Sequence, residues 1–306
     1  MSSQASRFLV VTADDFGIGS ETTRGILELA TRGVVTSTVL LVNSPFAEEG
    51  VAVWRAAGQP VELGWHPCLT IDAPVLPPGK VPSLVGSDGR FPSLGTLLKR
   101  LTFGRVREVE LHAELRAQYE RFIDLVGTPP ANVNGHHHIH VFRQVGDILT
   151  RVLAEFPRPF VRRVIEPLRT LRKVPGARIK RVILSWQGRR AARRYHATGL
   201  PGNDTLLGVT DPPFTEKPDF FTRWLSSATG RFVELSCHPG HFDATLAGRD
   251  GTLADGLIHR RARELALLSQ PEFLDAVRAN GFTLVNAAEL VRQMSAEPTA
   301  IVRQAA

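Results

Sequence analysis

The sequence predicts a single α/β domain, an irregular (β/α) TIM-like barrel, and three observations carry that prediction. Short β-branched runs alternate with longer stretches of helical periodicity from residue 8 to about residue 290. The polar residues Asp14-Asp15, His66, His136 and His238 stand at the carboxyl ends of strand candidates, the face on which barrels of this class assemble their chemistry. A length of 306 residues with 43% hydrophobic and 22% charged content suits one large globular domain.

Taken in order, Phe8 to Ala13 reads as a strand, Ser20 to Arg32 as a helix with Ser20 as N-cap and Gly33 just past its end, and Val34 to Val42 as a second strand. That is a βαβ opening. Pro45 to Ala57 makes a helix, Val61 to Trp65 a third strand, Arg105 to Val126 a long charged amphipathic helix, and Asn132 to His138 a fourth strand. Further strands are expected at Phe160 to Ile165, Thr205 to Val209, Arg231 to Cys237 and Phe282 to Val285. Helices are expected at Pro218 to Ala228, His259 to Leu268 and Pro271 to Ala279.

Two segments interrupt the alternation within the expected domain at 1–290. The stretch 72–92 holds five prolines, Pro74, Pro77, Pro78, Pro82 and Pro92, and reads as a stiff loop able to roof a site. The stretch 158–194 holds thirteen Lys and Arg against one acidic residue, Glu166, and so exceeds the whole net charge of +7. Such a run suits peripheral contact with an anionic membrane or a solvated basic helix. Nucleic acid is not expected as a partner, because no recognised module accompanies the charge. Residues 291–306 read as a C-terminal tail.

The N-terminus carries no apolar stretch of signal-peptide or membrane-spanning length. A cytoplasmic protein is expected, with the inner membrane surface as its one peripheral location. Cys68 and Cys237, the only two cysteines, are too few for a disulfide framework and read as reduced thiols. Homodimer formation is left open.

The run Asn134-Gly135-His136-His137-His138-Ile139-His140 puts four of the chain's ten histidines into five positions. Imidazole is the commonest ligand for borderline divalent metals. On a strand, His136, His138 and His140 would share one face as a ligand row. A carboxylate and two imidazoles form a site with open positions, as hydrolytic metals require. A second carboxylate is then needed to accept a proton from water, and an acid must protonate the leaving group. Asp14 and His238 fit those roles. Asp14 and Asp15 can serve one site only if the strand ends between them, since neighbours on a regular strand face opposite ways.

Thr12-Ala13-Asp14-Asp15-Phe16-Gly17, Gly33 to Thr38 with Val42-Asn43, Gly64-Trp65-His66 with Leu69-Thr70, the His136 to His140 cluster and Cys237-His238-Pro239-Gly240 together resemble the YdjC-like (ChbG/HpnK) carbohydrate deacetylases. The resemblance runs from residue 8 to about 290, with the motifs in the family's order. It implies an irregular (β/α) barrel that removes acetate from N-acetylglucosamine units of a small saccharide or glycolipid. It implies a divalent metal as cofactor, Mg²⁺ or Zn²⁺ first, with Ni²⁺ or Co²⁺ also suited to the ligands. Asp15, His66 and His136 correspond to metal ligands, Asp14 to the general base and His238 to the general acid. His138, His140, Asn43 and Asn134 would then touch substrate or support the ligands.

The chain departs from the family pattern at several positions. Asn134-Gly135 stands where many members carry Asp-Ser, which is closer to the hopanoid-associated branch. Arg143 stands where a proline usually follows the cluster, and Pro67-Cys68 fills the gap between His66 and Leu69 unusually. The rival readings are a metal-dependent hydrolase of another acyl or phosphoryl substrate and a non-enzymatic metal-binding protein.

Overall fold

The computed structural model describes residues 6–252, 254 and 256–296. Eight strands form one all-parallel sheet: β1 (Arg7–Phe16), β2 (Ser37–Leu40), β3 (Glu62–Trp65), β4 (Asn132–Val133), β5 (Phe160–Val161), β6 (Thr205–Leu207), β7 (Phe232–Cys237) and β8 (Phe282–Leu284). Their order is β5-β4-β3-β2-β1-β7-β6, with β8 paired to the start of β1. The two ends of this path meet again, because Val161 N–H donates to the Pro201 carbonyl at 2.8 Å and Leu206 N–H to the Ile165 carbonyl at 2.8 Å. The sheet therefore curls into the irregular barrel that the alternation predicts.

β1 is the axis of the sheet. All ten of its residues but Arg7 are buried, as expected of a parallel strand covered on both faces. Around it pack α1 (Ser20–Thr31), α2 (Ala47–Ala56), α3 (Leu94–Thr102), α4 (Glu108–Val126), α5 (Arg143–Leu153), α6 (Leu168–Lys173) and α7 (Arg178–Ala197). The ring continues with α8 (Phe220–Ser227), α9 (Leu257–Leu268), α10 (Pro271–Ala279) and α11 (Ala287–Ser295). Several bounds differ from the sequence reading. Gly19, not Ser20, is the N-cap of α1. α11 carries the fold to Ser295, five residues into the expected tail, because the Asn286 side chain accepts the Glu289 N–H and starts a helix there. The remainder of that tail, 297–306, lies outside the described residues.

The proline-rich stretch 72–92 is an irregular loop with one short turn at Pro78–Lys80. It is pinned by α4, where buried Glu114 accepts the backbone N–H groups of Val75 and Leu76 at 2.9 and 3.0 Å and Glu110 accepts that of Ser83 at 2.7 Å. It does not roof the cavity described below; that wall comes from the following helix α3.

α7 docks through a face of Arg181, Ser185, Gly188, Ala191, Ala192 and Tyr195. Gly188 permits the contact, since a Cβ there would lie 1.8 Å from the Val164 carbonyl oxygen. Gly188→Ala is accordingly expected to destabilise the chain by about 1–3 kcal/mol through overpacking. Helix propensity alone would stabilise it by about 1 kcal/mol. A urea-unfolding midpoint that holds or rises would contradict this packing.

Candidate active site

The site begins with a bulge. Between the pairs Ala13↔Thr38 and Phe16↔Leu40, two residues of β1 oppose one of β2, and the extra residue, Asp15, takes a left-handed φ of 67°. The strand does not end between Asp14 and Asp15, as the sequence reading required; it bulges, and both carboxylates line one cavity. Both are fully enclosed, at 2% and 1% exposure.

Asp14 is held by charge. Arg162 at the end of β5 donates Nη1–H to Oδ2 at 2.6 Å and Nη2–H to Oδ1 at 2.8 Å, a bidentate pair. Ser236 Oγ–H donates to Oδ2 at 2.9 Å and Asn134 Nδ2–H to Oδ1 at 3.3 Å. The same guanidinium reaches Glu234 through Nε at 2.9 Å. Burial pushes the Asp14 carboxyl upward, but the Arg162 charge and hydrogen bonds outweigh it and hold the group well below the usual carboxylate range. Arg162 belongs to the basic stretch read as surface, and it is 1% exposed. Arg181 in the same stretch is likewise buried, against Glu166.

Asp15 is the meeting point of the other groups. His66 Nε2 lies 3.2 Å and His136 Nδ1 2.9 Å from the same oxygen, Oδ1. Arg261 of α9 donates Nη2–H to Oδ2 at 2.7 Å. Burial opposes ionisation of Asp15, yet Arg261 and His136 bring its carboxyl well below the ordinary range. Burial likewise disfavours a charged His136, and Asp15 reverses this, so that its pKa is raised well above the ordinary value. A metal would have to displace that proton.

The donor set fits a divalent ion. One atom from each of Asp15, His66 and His136 lies within 4.8 Å of the others, and all three residues are buried. The nitrogen of each ring that faces away from Asp15 is turned to an oxygen. His66 Nδ1 donates to the Asn134 carbonyl at 2.7 Å, which leaves Nε2 with its lone pair toward Asp15. His136 Nε2 makes no hydrogen bond and lies 3.5 Å from Asp250 Oδ1. A carbonyl and a carboxylate behind two imidazoles are the supports that orient metal ligands.

The histidine row is not a strand. β4 ends at Val133, and His136–Val141 is a tight turn in which His137 and His138 both have left-handed backbones, with φ of 54° and 55°. Each ring therefore points its own way, and the shared face expected for His136, His138 and His140 does not exist. His137 Nδ1 contacts Thr70 Oγ1 at 2.9 Å, and its ring lines the cavity, as does His138. His140 is structural: Nδ1 accepts the Gly135 N–H at 2.9 Å and Nε2 donates to the Arg162 carbonyl at 3.2 Å. A Cβ at position 135 would lie 2.7 Å from Ile139 Cγ1 and 3.2 Å from the His140 backbone and ring nitrogens, so the glycine lets this turn pack closely. Asn43 also lies off the cavity, where its Nδ2 donates to the carbonyls of Ile71 at 3.0 Å and Ala73 at 3.2 Å.

His238 follows β7 and lines the cavity, with Nε2 at 3.8 Å from Asp14 Oδ2. Arg260 donates to its Nδ1 at 3.2 Å, so a neutral ring carries its proton on Nε2, toward Asp14. Burial and the Arg260 charge bring the His238 pKa down to about 4. Arg260 is itself anchored to Glu264. Sequence reasoning missed Arg162, Asp250, Arg260 and Arg261. The pair Arg260-Arg261 at the start of a helix behind a strand-end histidine was the one available signal.

The cavity they surround measures about 590 Å³, and its upper wall is apolar: Leu94, Leu98, Phe142, Ile183, Val209 and Leu257. The chain matches the YdjC-like protein family over residues 8–279. It belongs to that family. A carbohydrate deacetylase of Geobacillus stearothermophilus is 29% identical over 288 residues, covering 94% of this chain and 99% of the relative. A chitooligosaccharide deacetylase of Serratia marcescens is 30% identical over 283 residues, covering 91% and 97%. Among solved structures, a putative cellobiose-phosphate cleavage protein of Enterococcus faecalis V583 superposes with a TM-score of 0.76 at 24% identity, covering 94% of this chain and 99% of the other. That likeness shows the fold.

Arg162 bridges two buried carboxylates, Asp14 and Glu234. Arg162→Met is therefore expected to cost about 3–5 kcal/mol in thermal or denaturant unfolding, with part recovered when Asp14→Asn is added. A loss below about 1 kcal/mol, the range of exposed ion pairs, would show that Asp14 does not depend on it.

Proposed function

We propose that this chain hydrolyses the acetamido group of N-acetylglucosamine units in a small saccharide or glycolipid, releasing acetate with the help of one divalent metal. The observation that carries this is the convergence of Asp14, Asp15, His66, His136 and His238 on one cavity. The names of the similar proteins, carbohydrate and chitooligosaccharide deacetylases, support the substrate class.

Asp15, His66 and His136 would hold the ion. When bound, it supplies Lewis acidity for the acetyl carbonyl and lowers the pKa of water. Asp14 accepts the proton from the attacking water. Its clamp by Arg162 keeps it ionised and so able to accept, while lowering its basicity below that of an ordinary carboxylate. His238 directs Nε2–H into the cavity and hydrogen-bonds the departing nitrogen. Full proton transfer from Nε2 requires Nδ1 to take up a proton from solvent, so Arg260 must first withdraw from Nδ1 toward its other partner, Glu264. The apolar wall accommodates the acetyl methyl and the carbon faces of a sugar ring, and displaces water from around the reacting groups.

The test is acetate release from N,N′-diacetylchitobiose and from an N-acetylglucosaminyl lipid, with chelator-stripped protein and single metals added back. Release is expected only with metal, and Asp14→Asn is expected to lower kcat by roughly 10²–10⁴-fold, the usual contribution of a positioned base. His238→Gln keeps a hydrogen-bond donor but cannot shuttle protons, so a loss of similar size assigns proton transfer to His238. No release from either substrate would turn the assignment toward another acyl or phosphoryl group.

A further inference from the structure

α7 shows solvent a face that a globular protein ordinarily covers. Ile179, Val182, Ile183 and Trp186 follow the i, i+3, i+4, i+7 spacing of one helical stripe, and they are 79%, 52%, 53% and 54% exposed. The opposite face is already used for docking onto the barrel, so the stripe does not belong to the core. Apolar side chains exposed singly are ordinary, but four contiguous on one helix mark an interaction surface.

Charge indicates what meets it. No acidic residue occurs between Glu166 and Asp204, and Glu166 is consumed internally by Arg181. The exposed positions of α6 and the second half of α7 include six cations, Arg169, Arg172, Lys173, Arg189, Arg190 and Arg193. Arg190 lies over the Trp186 ring, 5.0 Å from its centroid, which places an aromatic ring and a cation together. A second copy of the chain seated on this face would oppose like charges. An anionic lipid surface satisfies both halves, with phosphates for the cations and the acyl boundary for the stripe. No helix among the described residues is long and apolar enough to cross a membrane, so the contact would lie in the interface.

We propose that α7 is an interfacial docking helix that seats this protein on an anionic bilayer. The stripe is continuous with the active-site cavity, since Ile183 belongs to both and Lys180, on the same turn of α7, also lines the cavity. The docked helix therefore brings the cavity mouth to the lipid surface.

Trp186 gives a direct readout. The other three tryptophans, Trp54, Trp65 and Trp224, are at most 6% exposed, so a change in emission on vesicle binding reports Trp186. The full chain is mixed with vesicles of phosphatidylcholine alone or with phosphatidylglycerol added, and followed by co-sedimentation and fluorescence. Binding to the anionic vesicles is expected to be about tenfold or more stronger and to fall as salt rises. It should blue-shift the emission. Val182→Glu with Trp186→Glu should weaken sedimentation about tenfold or more, and Arg172→Ser with Lys173→Ser and Arg193→Ser should remove the preference for anionic lipid. The vesicle arms involve no turnover and read this surface whether or not the chain deacetylates sugars. Release of acetate from soluble diacetylchitobiose should be unchanged in the Val182/Trp186 variant.

Three results would overturn the proposal. One is no sedimentation with anionic vesicles at low salt. Another is sedimentation without a spectral shift that is indifferent to Val182→Glu/Trp186→Glu. The third is a concentration-dependent dimer, abolished by that same pair, in a chain that ignores vesicles.

Discussion

Two adjacent carboxylates buried at the centre of a parallel sheet are the constraint on which this molecule is arranged. The bulge at Asp15 turns what would be opposite-facing neighbours toward one cavity, where neither meets bulk water. Uncompensated, two such charges would cost far more than a domain's net stability, or would take up protons and lose their chemistry. The chain instead supplies each with its own cation: Arg162 for Asp14, Arg261 for Asp15. Desolvation of these ions is repaid by paired geometry, as bidentate and shared hydrogen bonds require.

The division separates two tasks. Arg162 also pairs with Glu234, and Ser236 and Asn134 complete the shell, so Asp14 is fixed in position and ionised at rest. Asp15 keeps two imidazoles on a single oxygen, and Arg261 links it to Asp250, the carboxylate nearest His136 Nε2. Two residues side by side in sequence thus acquire different surroundings: one carboxylate is clamped by a guanidinium, the other shares an oxygen with two imidazoles. His238 extends the pattern, because Arg260 fixes its tautomer as Glu264 fixes Arg260.

The barrel was legible because parallel strands buried on both faces read as continuous apolar runs separated by amphipathic helices. The strand-end positions of Asp14, Asp15, His66, His136 and His238 followed from it, and the structure gathers all five. The His136 to His140 run misled the strand reading, since alternation was assumed where two consecutive residues adopt left-handed conformations; a histidine sequence alone carries no sign of that. The stretch 158–194 misled differently. Charge counting treats every arginine as solvated, whereas Arg162 and Arg181 are interior counter-ions paired with acids remote in sequence or helix phase. What remained outside was the exposed half of that stretch, with an apolar stripe that charge counting also overlooks. Asp250 was invisible for a plainer reason: no local pattern distinguishes a loop aspartate paired with a buried arginine from a surface residue.

The central claim is that Asp15, His66 and His136 make one metal site rather than a histidine-rich reservoir. It is tested most directly by equilibrium dialysis of the chelator-stripped chain against Zn²⁺, followed by elemental analysis, with His66→Gln as comparison and circular dichroism as the check on folding. The account expects one ion per chain, lost in folded His66→Gln. No bound ion, or several that survive the substitution, would contradict it.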